Sequence, residues 1–327
     1  MAKSIRAILI GIGEIGQKLL HHIPSAGEIK LAGAVDIHPN LIGKPLSDIS
    51  GHPDHRKVLI RSTLEEALKD QPVDVAILTT SSRLDLIIPT IEQCLEHSLN
   101  VVTAAEELAY PWRLHPEEAR RIDIAAQEFH KTVLSAGINP GLLMDALPSW
   151  LMSWTIDVRR VTVRRVVDVS QRRSNLKKKA GCGLTIKEFK ALVREQKIGH
   201  VGLLESLHWI ADRLGWDLSQ IREEILPIPS DRDEDLVVGS AHTCKGTVKT
   251  GQSIELELVF QDGAKPIDRI ELRGTPSIDL EFPHGVDGDL ATVASLVNGA
   301  LLVSDGPKGL TTLAAQSLPP ALRPRFL

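Results

Sequence analysis

Apolar positions along the chain fall into short runs and stripes that alternate. Residues 5–12, IRAILIGI, form a continuous apolar run with β-branched character, the pattern of a strand buried on both faces. Ile15, Leu19, Leu20 and Ile23 then share one helical stripe. A second run, LAGAV, ends at Asp36. Val58 to Ile60 reads as a short strand, and Thr63 caps a helix over LEEALKD, with Glu65 and Glu66 in its first turn. Residues 74–80, DVAILTT, read as the next strand and Leu86 to His97 as a helix. Asn100 to Thr103 reads as a strand, Pro116 to His130 as an amphipathic helix, and Thr132 to Ala136 as a strand. This alternation predicts a doubly wound α/β domain over residues 1–140.

The pattern changes at residues 137–141, GINPG. Leu142 to Trp154 reads as helical despite Pro148, and Asp157 to Ser170 as a long strand. Arg159, Arg160, Arg164 and Arg165 indicate that one face or edge of that strand is wet. Helices are predicted near Thr185 to Gln196 and Gly202 to Leu214, while Ser219 to Ser230 shows no clear period. Three strand-like segments follow: Ala241 to Thr250, Gln252 to Phe260 and Pro266 to Gly274. In the second, Ile254, Leu256, Leu258 and Phe260 alternate with Ser253, Glu255 and Glu257. A second, α+β domain with a mostly antiparallel sheet is therefore predicted over residues 141–285. Residues 288–303 read as a helix and Gly306 to Leu318 as a second helical piece. Residues 286–327 are thus expected to form a helical segment returning toward the first domain. No repeat or low-complexity tract is present.

The first strand runs into Gly11, Gly13 and Gly16, spaced Gly-x-Gly-x-x-Gly, with Glu14 and Ile15 between the last two. Gly11 allows a tight turn, Gly13 lets backbone approach a pyrophosphate, and Gly16 lets the helix lie close to the strand. Amides at the helix start then face the phosphates. Asp36 lies where a carboxylate accepts both hydroxyls of an adenosine ribose. Strand, glycines, helix and acid-tipped strand together predict a dinucleotide site. Asp36 favours NAD over NADP, a choice that Lys44 or an arginine from elsewhere would reverse. Thr79, Thr80, Ser81 and Ser82 end one strand, and Thr103 another, at the sheet edge where cofactor and substrate lie. Their hydroxyls either line that cleft or cap the following helices. Glu106 and Glu107 follow Thr103 among apolar neighbours. One acid suits the substrate and the other a cap, unless both lie on a solvated rim.

Composition narrows the picture. The 327 residues suffice for two domains, and the net charge of -4 excludes bulk attraction to nucleic acid or an anionic membrane. Arg172 to Lys179 is a local basic run, but no aromatic residue interleaves it. Cys94, Cys182 and Cys244 are odd in number and far apart, which fits a reducing compartment without disulfides. The initial apolar run leads directly into the glycine loop rather than forming a signal peptide, and no stretch is long enough to span a membrane. A cytoplasmic protein is the expectation. No His-Glu-x-x-His or cysteine-pair motif points to a metal, and His200, His208, His242 and His284 are scattered. Cys182 has no evident paired base.

The stretches VVTAAEELAYPW, AGINPGLLMDALP, RRSNLKKKAGCG, GHVGLLES and GDLAT resemble the 2,4-diaminopentanoate dehydrogenase family and its native NAD(P)H-dependent amine dehydrogenase relatives. The resemblance implies a dihydrodipicolinate-reductase-like fold and reversible oxidative deamination of a small amine or diamino acid to a carbonyl compound and ammonia. It also implies a homodimer. It selects Glu106 over Glu107 as the acid–base residue, leaving Glu107 at the substrate. It matches Asn139 and Pro140 to an inter-domain turn shaping the site wall. The segment Arg172 to Gly183 matches one that reaches toward substrate and the partner subunit, with Lys177 where relatives often carry glutamine. A diamino acid needs a carboxylate anchor, which Arg172, Arg173 or Lys177 would supply. A small hydrophobic amine needs an apolar pocket, which Ile138, Leu142, Met144 and Trp150 would line. Two other readings stay open: reduction of a preformed imine or carbonyl without ammonia, and a nucleotide-binding protein without catalysis.

Overall fold

The computed structural model describes residues 4–23, 27–69, 71–170, 172 and 174–315. The chain divides into two compact units, Met1–Gly141 with Gly288–Leu327, and Leu142–Asp287.

The first unit begins with β1 (Ile5–Ile10), α1 (Glu14–His22), β2 (Ile29–Val35), α2 (Ser47–Ser50), β3 (Ile60–Arg61) and α3 (Leu64–Leu68). It continues with β4 (Val75–Leu78), α4 (Leu84–Glu96), β5 (Asn100–Thr103), α5 (Pro116–Glu128) and β6 (Thr132–Ser135). Strands β4, β5 and β6 are buried at every position, as expected for a parallel sheet covered on both faces. Helix α3 starts as expected, with the Thr63 hydroxyl accepting the Glu66 amide.

The second unit contains α6 (Ala146–Leu151), β7 (Ile156–Asp168), α7 (Ser174–Lys179), α8 (Ile186–Arg194) and α9 (Leu203–Leu214). Strands β8 (Gln220–Pro229), β9 (Val237–Thr247), β10 (Ser253–Gln261), β11 (Ile267–Thr275) and β12 (Ile278–Phe282) complete it. They form one six-stranded sheet in the order β12-β11-β7-β10-β9-β8. Only the β10–β7 pairing is parallel. Ile254, Leu256 and Leu258 of β10 are fully buried, which fits their alternation.

The chain then returns to the first unit as α10 (Gly288–Leu302) and β13 (Gly309–Thr312). Helix α10 packs on α1, and Lys18 pairs with the buried Asp289 at 2.7 Å. Strand β13 joins the sheet edge beside β6, giving the parallel order β13-β6-β5-β4-β1-β2-β3. This corrects the helical expectation for Gly306 to Leu318. Residues 309–312 form a strand because the open edge of β6 offers a ladder, and 316–318 lie outside the described residues. The expected helix from Leu142 is also shorter. Residues 141–145 are turn, and Asp145 caps α6 through the Ala146 amide.

Candidate active site

In the first sheet the strand order reverses between β1 and β4, so a crevice opens at their carboxyl ends. The glycine loop forms one side of it. Gly11 has φ +92°, and a side chain there would collide with Thr79 and Thr80. At Gly16 a Cβ would run into the Gly11 carbonyl, so only glycine lets α1 sit this close to β1. Gly13 is different: a Cβ there meets nothing within 4 Å, leaving space beside the amides that open α1 at Glu14 and Ile15. An anion fits there, against the positive end of the helix.

Asp36 stands at the end of β2. Its Oδ2 accepts the Ile12 amide at 2.6 Å and its Oδ1 the His38 amide at 2.8 Å. The carboxylate thereby ties β2 to the glycine loop, and each oxygen retains a second acceptor site. The residues present fit a dinucleotide, with a cradle at Gly13 and a half-exposed acid at the second strand end.

The hydroxyls expected at the strand ends do several jobs. Thr79 Oγ1 donates to the Gly11 carbonyl at 2.7 Å, bracing the glycine loop. Ser81 Oγ accepts the Arg83 amide at 3.2 Å, and the Ser82 carbonyl accepts the Glu107 amide at 3.2 Å. Thr80 is exposed. Thr103 is buried, and its Oγ1 accepts the Ala105 amide at 3.2 Å. Thr79, Thr103 and Ser81 therefore shape the loops that border the crevice.

Glu106 opens a 3-10 turn, Glu106–Leu108, directly beyond β5, and is half-buried. The adjacent acid has a structural partner. Glu107 Oε2 accepts the Leu84 amide at 2.7 Å, so this carboxylate, expected at the substrate, caps α4. The cause is local: Arg83, at the N-cap position of α4, makes no side-chain cap. Ser135 belongs to the same neighbourhood, donating its hydroxyl to the Ala105 carbonyl at 3.2 Å. The strand-end rule that singled out Thr79 and Thr103 applies equally to Ser135 and would have found it.

Gly137, Pro140 and Gly141 form a tight turn in which a Cβ on Gly137 or Gly141 would meet backbone carbonyl oxygen. Ile138 is 7% exposed. Asn139 Oδ1 is buried with no hydrogen-bond partner among the described residues, the condition of an acceptor that a bound molecule satisfies.

In the second unit Met144 is fully buried and Leu142 and Trp150 are half-buried. Two side chains of the basic segment bond within this unit. Arg172 pairs with Asp287 at 2.8 Å, and Lys177 donates to the Ser170 carbonyl at 2.6 Å. Arg173 lies outside the described residues. Burial opposes ionisation of Asp168. The amide and hydroxyl of Ser170, the Gly263 amide and nearby Lys177 outweigh it and hold this carboxyl below the ordinary range. Cys182 is raised by burial and by Asp262, which leaves little thiolate for nucleophilic chemistry. Among the described residues no group of three His, Cys, Asp or Glu is placed to hold a metal ion. Nor is any helix long and apolar enough to cross a membrane.

A doubly wound sheet with a glycine cradle and an acid-tipped second strand, followed by a mixed-sheet unit, defines the two-unit class of nucleotide-dependent oxidoreductases. Within that class, residues 142–326 match the model of the 2,4-diaminopentanoate dehydrogenase C-terminal domain. This is more than half of the chain, and the chain belongs to that family. Residues 2–103 also match a CoA binding domain, a stretch that includes the glycine loop. The chain is 29% identical to the 2,4-diaminopentanoate dehydrogenase of Acetoanaerobium sticklandii, over 99% of this chain and 96% of the relative. Its fold resembles the amine dehydrogenase of Mycobacterium smegmatis, with a TM-score of 0.84 and 22% identity over 99% of this chain and 98% of that one. It also resembles the dihydrodipicolinate reductase of Paenisporosarcina sp. TG-14, with a TM-score of 0.56 and 15% identity over 94% and 97% of the two chains.

Proposed function

We propose that the protein is an NAD(P)-dependent amine dehydrogenase, which interconverts a small amine or diamino acid with a carbonyl compound and ammonia. The observation that carries this reading is the half-buried Glu106 at the carboxyl end of β5, on the sheet edge where the glycine cradle opens. Membership of the 2,4-diaminopentanoate dehydrogenase family supports it.

Gly11, Gly13 and the amides opening α1 would hold the pyrophosphate, and Asp36 the adenosine ribose. The nicotinamide, when bound, supplies the hydride. The remaining chemistry falls to Glu106. In the amination direction ammonia adds to the carbonyl carbon, and the Glu106 carboxylate takes a proton from the new ammonium nitrogen. It passes that proton to the alkoxide oxygen, giving the neutral carbinolamine, and a second proton, taken up from solvent through Glu106, then goes to the hydroxyl, which leaves as water. The carboxylate, again anionic, then faces the iminium cation and stabilises it by opposite charge. Asp36 would repel a 2′-phosphate, so NAD is the preferred cofactor and NADP the weaker one. A homodimer in a reducing cytoplasm completes the proposal, and the three free cysteines suit that compartment.

Glu106→Gln tests the central residue. The expected result is a loss of roughly 10²–10⁴-fold in kcat with NADH binding and folding intact. Turnover within about threefold of wild type would remove Glu106 from the mechanism.

A further inference from the structure

The turn that carries Glu106 is fixed from both sides. On the incoming side the Thr103 hydroxyl accepts the Ala105 amide, and the Ser135 hydroxyl binds the Ala105 carbonyl, each at 3.2 Å. On the outgoing side Glu107 makes two bonds to the loop between β4 and α4. Its amide donates to the Ser82 carbonyl at 3.2 Å, and its Oε2 accepts the Leu84 amide at 2.7 Å. The start of that loop is itself tied to the glycine loop, because Thr79 donates its hydroxyl to the Gly11 carbonyl at 2.7 Å. A path of direct contacts and short backbone therefore runs from the glycine loop through Thr79, Ser82 and Leu84 to Glu107, next in sequence to Glu106.

We infer that Glu107 is a positioning residue for the reaction. Its side chain spans from the Glu106 turn to the first amide of α4, and so sets where the Glu106 carboxylate stands relative to the cofactor loops. This rests on the acid–base role proposed for Glu106. What matters in Glu107 is reach and an acceptor oxygen, not charge at the substrate. A displacement of about 1 Å in a proton-transfer group is enough to cost on the order of 10²-fold in rate. A cap that only stabilised α4 would lower the melting temperature and leave turnover per folded molecule unchanged.

Two conservative variants separate these roles. Glu107→Gln keeps the reach and the acceptor but removes the charge, whereas Glu107→Asp keeps the charge but is one methylene too short. Both are assayed beside Glu106→Gln in ammonium-dependent NADH oxidation, with kcat and KM for carbonyl and ammonium measured separately. The expected result is kcat for Glu107→Gln within about threefold of wild type. For Glu107→Asp kcat falls roughly tenfold or more, with both KM values within about threefold. The inference is overturned if Glu107→Asp is at least as active as Glu107→Gln, since charge would then be what matters. It is equally overturned if Glu107→Asp lowers only the melting temperature, or if either variant raises the carbonyl KM at unchanged kcat. An active Glu106→Gln would defeat the acid–base reading and this inference with it. An inactive Glu106→Gln beside a fully active Glu107→Asp would defeat this inference alone.

Discussion

Gly13 and Gly16 do opposite work in one loop. At Gly16 the space is already filled by the Gly11 carbonyl, whereas at Gly13 it is open. Gly16→Ala should force α1 away from β1, giving at least a tenfold weaker Kd for NADH together with lowered stability, on the order of 1–3 kcal/mol. Gly13→Ala should cost less than about 1 kcal/mol of stability yet still weaken NADH binding, because its methyl enters the space meant for the pyrophosphate. Fluorescence titration and thermal melting check both, and equal behaviour of the two variants would argue against the cradle. The positions of such residues were legible in the sequence because near neighbours set them. Gly11, Gly13, Gly16, Asp36 and Glu106 all sit at strand ends or one turn beyond. The cap by Glu107 was not legible, because Leu84 lies 23 residues away and meets it only when β4 and β5 pair.

Elements with a buried face were readable, whereas the edge strands β8, β12 and β13 were not. Strands β1, β4, β5 and β6 and the alternating β10 carry their own apolar signatures. Strand β8 is exposed at most positions, so it has no alternation to read, and its pairing with β9 decides it. Strand β13 is four residues long and depends on the edge of β6. A buried ion pair was also invisible. Arg165, one of four arginines expected to be wet, is 4% exposed and pairs with Asp268 at 3.2 Å. Burial pulls the Arg165 guanidinium below its ordinary value, and burial pushes the Asp268 carboxyl up against the pull of Arg165. Both also hold Val286, Arg165 through its carbonyl and Asp268 through its amide. Arg165→Ala should therefore cost about 3–5 kcal/mol by urea denaturation. The double change Arg165→Met with Asp268→Leu should recover only part of this, since Val286 then loses both partners. Full recovery would show that the Val286 bonds contribute nothing.

Across the whole molecule, charge is arranged to favour neutral pH. Hydrogen bonding to Arg83 lowers Asp85, the Thr185 amide and hydroxyl lower Glu188, and Lys197 lowers Glu195. Asp168 is lowered by its amide, hydroxyl and lysine partners against the cost of burial. For each, the folded pKa lies below the unfolded one. Their contribution is present above the unfolded values near ~4 and is lost as pH falls through the lower folded values. Asp268 has the opposite sign, since protonation relieves a penalty, but it stands against five lowered carboxylates, Glu65 being the fifth. Burial also lowers His55, so the urea midpoint should be flat above about pH 7, decline a little as pH falls through the ordinary histidine range near ~6.5, and fall further below about pH 4. A midpoint that rises on acidification would refute this balance.

The central claim is amine dehydrogenase chemistry, and ammonium dependence tests it most directly. NADH oxidation would be followed with small ketones and aldehydes, 2-amino-4-oxopentanoate among them. Each would be run with and without concentrated ammonium at mildly alkaline pH, with NADPH beside NADH. The expected result is oxidation that requires ammonium and runs faster with NADH. Oxidation at the same rate without ammonium, or none with any carbonyl, would contradict it.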